Sequence, residues 1–262
     1  MQCVVATTTK LASETPIQTT RTRLTLETIR LCRDLGFDVV CVDADSSDSL
    51  RREMCSRGAK VIPQLTAGMG NARRQAIREA VAIALPKALP LVWLEPEKAA
   101  LVPHLSSALA AMEQKSCNMV MFNRRSLASY PPEQVHAYTL VRLMSQYVLG
   151  EDLDFLFGPL LFDAAVAEHL LAYGGEYSDN WDSIHVPKLR AMRAGLTYHV
   201  EEIDYTHPAE QTQCETGDMD LFIKRIEQVC VVARAILRET RTPLQRAHSM
   251  GLCDGQTVPA GV

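Results

Sequence analysis

A chain of 262 residues that is 47% hydrophobic has the length for one large α/β domain and the apolar content for a sizeable core. Its formal net charge of −4 excludes nucleic-acid binding through bulk charge, so such a partner would need a local basic patch. No apolar run reaches membrane-spanning length, no signal-peptide pattern opens the chain, and the eight cysteines stand singly without a CxxC pair, which reads as reduced thiols in a cytoplasmic protein.

Residues 1–7 (MQCVVAT) form an apolar strand that runs into the polar Thr7-Thr8-Thr9. Thr15-Pro16 breaks the chain, and residues 20–35 then set Leu24, Leu26, Ile29, Leu31 and Leu35 at helical spacing, with Gly36 as C-cap. A second strand at 37–42 delivers Asp43 and Asp45 into an Asp/Ser-rich turn. A short helix at 49–57 and a short strand at 60–63 follow. Gly68-Met69-Gly70-Asn71 opens a helix that carries Arg73 and Arg74 and runs to about Leu85. The apolar run at 91–94 reads as a strand buried on both faces, and it ends in Glu95-Pro96-Glu97. A helix near 103–114 and a strand at 118–123 complete a β-α alternation that predicts a mostly parallel sheet flanked by helices.

The rhythm changes after Pro131-Pro132. A helix at 133–149, a strand at 157–162 and a helix at 164–173 lead into a polar loop at 174–182 (GGEYSDNWD). A helix at 187–194 and an alternating strand at 196–203 follow, closed by Tyr205-Thr206-His207-Pro208. A long helix at 218–241 leaves 242–262 as a flexible tail.

Glu95 and Glu97 are the first chemical signal. Carboxylates at the carboxyl end of a buried strand sit where open α/β sheets bind ligands, and two acids around a stiff proline can hold a divalent cation that bridges a diphosphate. Pro96-Glu97 is equally suited to open a helix.

Three segments fall into order: VVCVDADSSDS at 39–49, GMGNARRQA at 68–76 and LVWLEPE at 91–97. Together they resemble the family 2 glycosyltransferases, which have an apolar strand followed by Asp-x-x-Ser-x-Asp, a Gly-rich helix start with Ala-Arg, and then Asp-x-Asp. This chain departs by carrying Glu-Pro-Glu in the last position. The resemblance implies a single-domain GT-A (Rossmann-like) fold over 1–241, with 1–125 as the nucleotide-binding half and 126–241 as the acceptor half. It implies a nucleotide-sugar donor, a small acceptor, and Mn²⁺ or Mg²⁺. Thr7, Asp43, Asp45, Gly68, Gly70 and Arg73 would then contact the nucleotide. The two aspartates have a competing role as turn or N-cap residues, and the helix arginines have one on an exposed face. Glu95 and Glu97 would be catalytic, with Glu97 on the metal. Asp182 would be the base, with Asp179 as its alternate. His207 would complete the metal shell, a site where imidazole suits Mn²⁺ better than Mg²⁺; its competing role is to cap a loop carbonyl.

Two other classes stay open. One is a GT-A-like fold turned to aminoacyl-tRNA-dependent synthesis in secondary metabolism, as in the fungal arginine-containing cyclodipeptide synthases. The acid sets Glu95/Glu97 and Asp179/Asp182 would then pair with a guanidinium. Arg21, Arg23, Arg30, Arg33, Arg51, Arg52, Arg73, Arg74 and Arg78 would form a basic face for tRNA. The other is a non-catalytic, nucleotide-binding relative, suggested by the missing Asp-x-Asp.

Overall fold

A computed structural model describes residues 2–12 and 15–249, with side chains described as far as residue 240. The first half alternates as the hydrophobic pattern predicts: β1 (Val4–Thr9), α1 (Pro16–Asp34), β2 (Asp38–Asp43), α2 (Asp48–Ser56), β3 (Ala59–Pro63), α3 (Met69–Ala84) and β4 (Leu91–Trp93). A 3₁₀ stretch at Ala99–His104 runs into α4 (Leu105–Lys115), β5 (Met119–Arg124) and α5 (Pro132–Leu149). The rest comprises β6 (Leu160–Phe162), α6 (Ala164–Ala172), α7 (Asp182–Arg193), β7 (Tyr198–Ile203), α8 (Ala209–Glu215) and α9 (Met219–Ser249).

The strands form one sheet in the order β3-β2-β1-β4-β6-β5-β7. All pairings are parallel except those of β6, which runs against both neighbours. All six residues of β5 are buried, as are five of the six in β2, as expected for strands covered on both faces. The edges are blunter. β3 carries Lys60 and Pro63, and β7 carries His199, Glu201 and Glu202 half-exposed or near the surface, which discourages pairing with another chain. The order reverses at β1, which has β2 on one side and β4 on the other. In an open α/β sheet, such a switch point leaves a crevice beyond the carboxyl ends of the strands.

Local chemistry sets the helix ends. Pro16 occupies the first turn of α1, where its missing N–H costs nothing. The Ser47 hydroxyl accepts from Leu50 N at 3.3 Å to start α2, and Asp163 accepts from Val166 N at 3.1 Å to start α6. Gly150 ends α5 at φ 76°, a left-handed conformation suited to glycine.

The second half departs from the sequence expectations in four places. α7 begins at Asp182 and contains Pro187, which the sequence reads as its start. The expected strand at 157–162 narrows to Leu160–Phe162, because Pro159 has no N–H to give to a ladder. α8 was not anticipated. The backbone of α9 continues to Ser249, past the expected tail boundary at 242, and the remainder of that tail lies outside the described residues. No helix among the described residues is long and apolar enough to cross a membrane.

Candidate functional site

The crevice at the switch point has a volume of about 740 Å³. Thr8 and Thr9 from β1, Asp45 after β2, Gly68 and Arg73 from the start of α3, and Glu95 and Glu97 after β4 all line it. Residues from three separate sequence motifs thus share one cavity, because three parallel strands end on the same side of the sheet. A second cavity of about 620 Å³ at the opposite end is lined mainly by apolar residues such as Val81, Leu85, Leu109 and Met112, and contains none of the candidates.

The carboxylates in and around the crevice differ in how fully they are bonded. Asp43 is buried and accepts from Thr9 Oγ1 (2.7 Å), Ser46 N (3.1 Å), Ser46 Oγ and Arg51 Nε (2.8 Å). Burial opposes its charge, yet the bonds from Ser46, Thr9 and Arg51 hold it below the usual carboxylate range. Expected to contact the nucleotide, Asp43 does not line the crevice and pins the turn that presents the exposed Asp45. Thr7 likewise lies beneath the crevice wall, 3% exposed and with its hydroxyl unpaired, while Thr8 and Thr9 reach the opening.

Asp182, expected as the base, is bonded in a similar way. It is fully buried at the first turn of α7. Its carboxylate accepts from Tyr173 Oη and Ser178 Oγ, and from the backbone N–H groups of Ser178 (3.1 Å), Asp179 (3.1 Å) and Asn180 (2.9 Å). Burial again opposes its charge, and Ser178 and Tyr173 more than offset that, so its pKa lies below the ordinary value. With five donors bound, the Asp182 carboxylate organises its own loop in this arrangement. Asp179, at φ 56°, is committed too: its Oδ1 accepts from Arg74 Nη1 at 2.6 Å and its Oδ2 from Arg74 Nη2 at 2.8 Å.

The same loop explains Gly70. Gly70 N donates to the Asp179 carbonyl at 2.8 Å, and a Cβ at Gly70 would lie 2.0 Å from Asp179 Oδ1. The close approach that the glycine permits is therefore that of loop 174–182, and its N–H is not free for a phosphate. Gly68, at φ 112°, does line the crevice. Docking the loop also fixes Arg73, whose Nη1 donates to the Asn180 carbonyl (2.6 Å) and to Ser183 Oγ (3.0 Å). Its guanidinium lies 5.3 Å from the Trp93 ring centre, and its Nε has no partner. Arg73 is thus a largely buried cation held on the crevice wall with hydrogen-bonding capacity to spare.

Glu95 and Glu97 are the contrasting pair. Glu95 Oε2 is enclosed and has no hydrogen-bond partner, and Oε1 lies so close to Gly158 that a Cβ there would come within 1.8 Å of it. Burial pushes the Glu95 carboxyl above its ordinary value against the pull of Lys98 and Arg73. Glu97 is half-buried on the crevice lining. Lys98 N donates to the Glu95 carbonyl at 3.1 Å, so Glu95-Pro96-Glu97 is a closed turn leading to a 3₁₀ stretch and does not open an α-helix.

His207 does not line the crevice. Its Nε2 faces Glu215 Oε2 at 3.3 Å, and its ring stacks on Tyr130 at 4.2 Å. Glu215 also takes Arg21, Gln134 and Gln211. Among the described residues no three His, Cys, Asp or Glu side chains come together as a metal-binding group. The expected basic face is largely neutralised: Arg21, Arg23, Arg30, Arg33, Arg51 and Arg74 each pair with a carboxylate.

Some residues at these strand ends carried no sequence signal. Arg124 and Asp154, both fully buried, pair at 2.6 and 2.8 Å, and Lys98 lies over the rings of Phe157 and Tyr205. Their sequence separations follow no motif, and only the antiparallel insertion of β6 brings them together.

No protein-family model matches the chain, and no curated protein matches it. Solved structures do. A glucosyl-3-phosphoglycerate synthase from Mycobacterium tuberculosis, in complex with Mn²⁺, UDP and glucosyl-3-phosphoglycerate, is 14% identical, with a TM-score of 0.58 over 91% of this chain and 79% of that one. The same synthase with Mn²⁺, UDP-glucose and phosphoglyceric acid gives the same values. A mycobacterial protein of unstated activity gives a TM-score of 0.60 at 14% identity, over 91% of this chain and 74% of that one. At these identities the likeness speaks to architecture: the chain has the GT-A fold, a mostly parallel seven-stranded sheet flanked by helices.

Proposed function

We propose that this chain is a glycosyltransferase that moves a sugar from a nucleoside diphosphate donor to a small acceptor within the switch-point crevice. The observation that carries this reading is the convergence of Asp45, Gly68, Arg73, Glu95 and Glu97 on one cavity at the strand ends of a GT-A fold. The similar synthase is described with UDP, UDP-glucose and Mn²⁺ bound, which supports a uridine nucleotide as the first donor to test.

Asp45 would accept hydrogen bonds from the base or ribose. Arg73, a cation on the crevice wall, would offset the charge of the diphosphate, and its position depends on the Asp179–Asp182 loop behind it. The donor set fits a cation shared with the donor. Hard cations bound beside nucleotide phosphates need only one or two carboxylates, and Glu95 and Glu97 are two such oxygen donors at the crevice, one with an unpaired Oε2. Mn²⁺ or Mg²⁺ held there would offset the charge that develops on the leaving diphosphate. Gly68 lets the backbone approach the donor without a side chain in the way.

Titration calorimetry with UDP and GDP, with and without Mn²⁺, tests the proposal. Binding is expected, weakened in Arg73→Gln. If neither nucleotide binds at millimolar concentration under either condition, the glycosyltransferase reading is wrong.

A further inference from the structure

Helix α9 carries apolar side chains on two faces, and the fold uses one of them. On the inner face Val229, Val232, Ala235 and Ile236 are buried, and Glu239 accepts from Tyr177 Oη at 3.1 Å and Arg190 Nη2 at 2.7 Å. On the outer face Met219, Ile223, Ile226 and Leu237 are 63%, 54%, 45% and 40% exposed, and Cys230 is exposed between them. With the half-buried Ala233, these residues follow one another at steps of 4, 3, 4, 3 and 4. That is the heptad spacing of a seam by which one helix packs along another. Single exposed apolar residues need no explanation, but a continuous stripe about 27 Å long marks an interaction surface.

The charges beside the stripe are segregated by sign. Asp220 and Glu227 stand along its amino-terminal half, Arg234 and Arg238 along its carboxyl-terminal half, and all four are exposed. By the 100° step of an α-helix they share one flank, within about 90° of the centre of the stripe. Lys224 lies further round, where Arg21 and Arg225 act on it. The ion pairs that α9 makes among the described residues all involve Glu239 on the inner face, so these four charges are unmatched there. The other flank, Phe222, Val229 and Ile236, is buried or half-buried.

This order of charges selects a partner. In a symmetric antiparallel pair of helices, each flank meets the same flank of the second copy with its ends reversed, so the acidic half of one lies along the basic half of the other. A parallel pair would set like charges level. Ile223 and Leu237 each lie seven residues from Cys230, and Glu227 and Arg234 lie three and four residues from it. A two-fold axis at Cys230 therefore sets aliphatic against aliphatic and acid against base along the whole stripe. We propose that the outer face of α9 docks a second copy of this chain, antiparallel, across a two-fold axis near Cys230. The inference is independent of the sugar-transfer reading.

Sedimentation velocity of the full chain over a concentration series is the test. The protein should be a dimer at micromolar concentration and above, and should dissociate on dilution. Ile223→Asp combined with Ile226→Asp should give a monomer with the parent's circular dichroism, because both positions are exposed in the single chain. Arg234→Glu with Arg238→Glu should weaken the dimer at least tenfold, and adding Asp220→Arg and Glu227→Arg should restore it, because the reversed order is again complementary. This charge series decides the matter should the Ile223/Ile226 variant fail to fold. A short bismaleimide should link two copies through Cys230, and Cys230→Ser should abolish that product. A parent that stays monomeric, a dimer that survives the folded Ile223/Ile226 variant, or a fourfold reversal that does not recover the dimer overturns the proposal. So does a chain ending at Ser249 that dimerises where the full chain does not, which would make residues 250–262 the occupant of the stripe.

Discussion

Loop 174–182 and the turn at Glu95-Pro96-Glu97 both bring a pair of acids to the same end of the sheet, and the two pairs are bonded in opposite ways. In the loop, Asp182 takes five donors and Asp179 grips Arg74 with both oxygens. In the turn, Glu95 keeps an enclosed oxygen without a partner and Glu97 faces the crevice. A buried acid whose lone pairs are filled is holding its own chain. An acid with unfilled lone pairs beside a cavity is available to something else. Residue type and proximity alone would have treated the four acids as equivalent.

The largest effect should come from emptying the filled site. Asp182→Ala strands three backbone N–H groups and two hydroxyls in a buried loop, and should cost about 3 kcal/mol, a fall of roughly 6–12 °C in melting temperature for a chain of this size. A variant as stable as the parent but inactive would reverse the comparison and return Asp182 to the chemistry. Glu97→Gln should do the opposite. Its melting temperature should stay within about 2 °C, while turnover falls about 100-fold, an effect worth ~2.7 kcal/mol on the barrier. Full activity in that variant would reduce the turn to a structural element.

Gly70→Ala sharpens the comparison from the other side of the contact. The added methyl would meet both Asp179 Oδ1 at 2.0 Å and the Asp179 backbone oxygen at 2.7 Å, and backbone cannot step aside as a flexible side chain can. The loop should be pushed off α3 at a cost of ~1–3 kcal/mol, and nucleotide affinity should fall with it because Arg73 loses its anchors.

The pH dependence separates the two sets by sign. Asp43 and Asp182 have folded-state pKa values below their ordinary ones, so the stability they contribute is complete above about pH 4 and is lost as the pH falls through the folded values. Glu95 is raised, so its ionisation costs stability as the pH climbs past its ordinary value. Melting curves across pH should therefore show Asp182→Asn losing part of the acid-side slope. Glu95→Gln should gain on the parent at neutral pH and converge with it near about pH 4. Equal slopes in all three proteins would show that the bonding difference has no energetic weight. The smallest effect belongs to the exposed Asp45. Its replacement by Ala should leave stability within about 0.5 kcal/mol and weaken nucleotide binding by a few-fold in the same calorimetric titration.

The sequence by itself determined the first half of the fold. The apolar runs of β1, β2 and β4, the helical spacing in α1 and α3 and the breaks between them are local signals, and local signals are what periodicity records. It also placed Asp45, Gly68, Arg73, Glu95 and Glu97 at strand or helix ends, because in a parallel α/β unit the residue that follows a strand has only one end of the sheet to occupy. Only the tertiary structure decided which candidates are free. Asp43 and Asp182 look like ligands in a motif and become internal anchors once Ser46, Thr9, Arg51 and the backbone of residues 178–180 fold around them. Gly70 looks like a phosphate cradle and becomes the seat of a loop more than a hundred residues away in the chain. Lys98, Tyr130 and Tyr205 gave no signal, because they meet only through the insertion of β6 and the turn after β7. Whether a hydrogen-bonding group is satisfied depends on every group that folding brings within about 3 Å of it, and that set is fixed by long-range packing rather than by spacing along the chain.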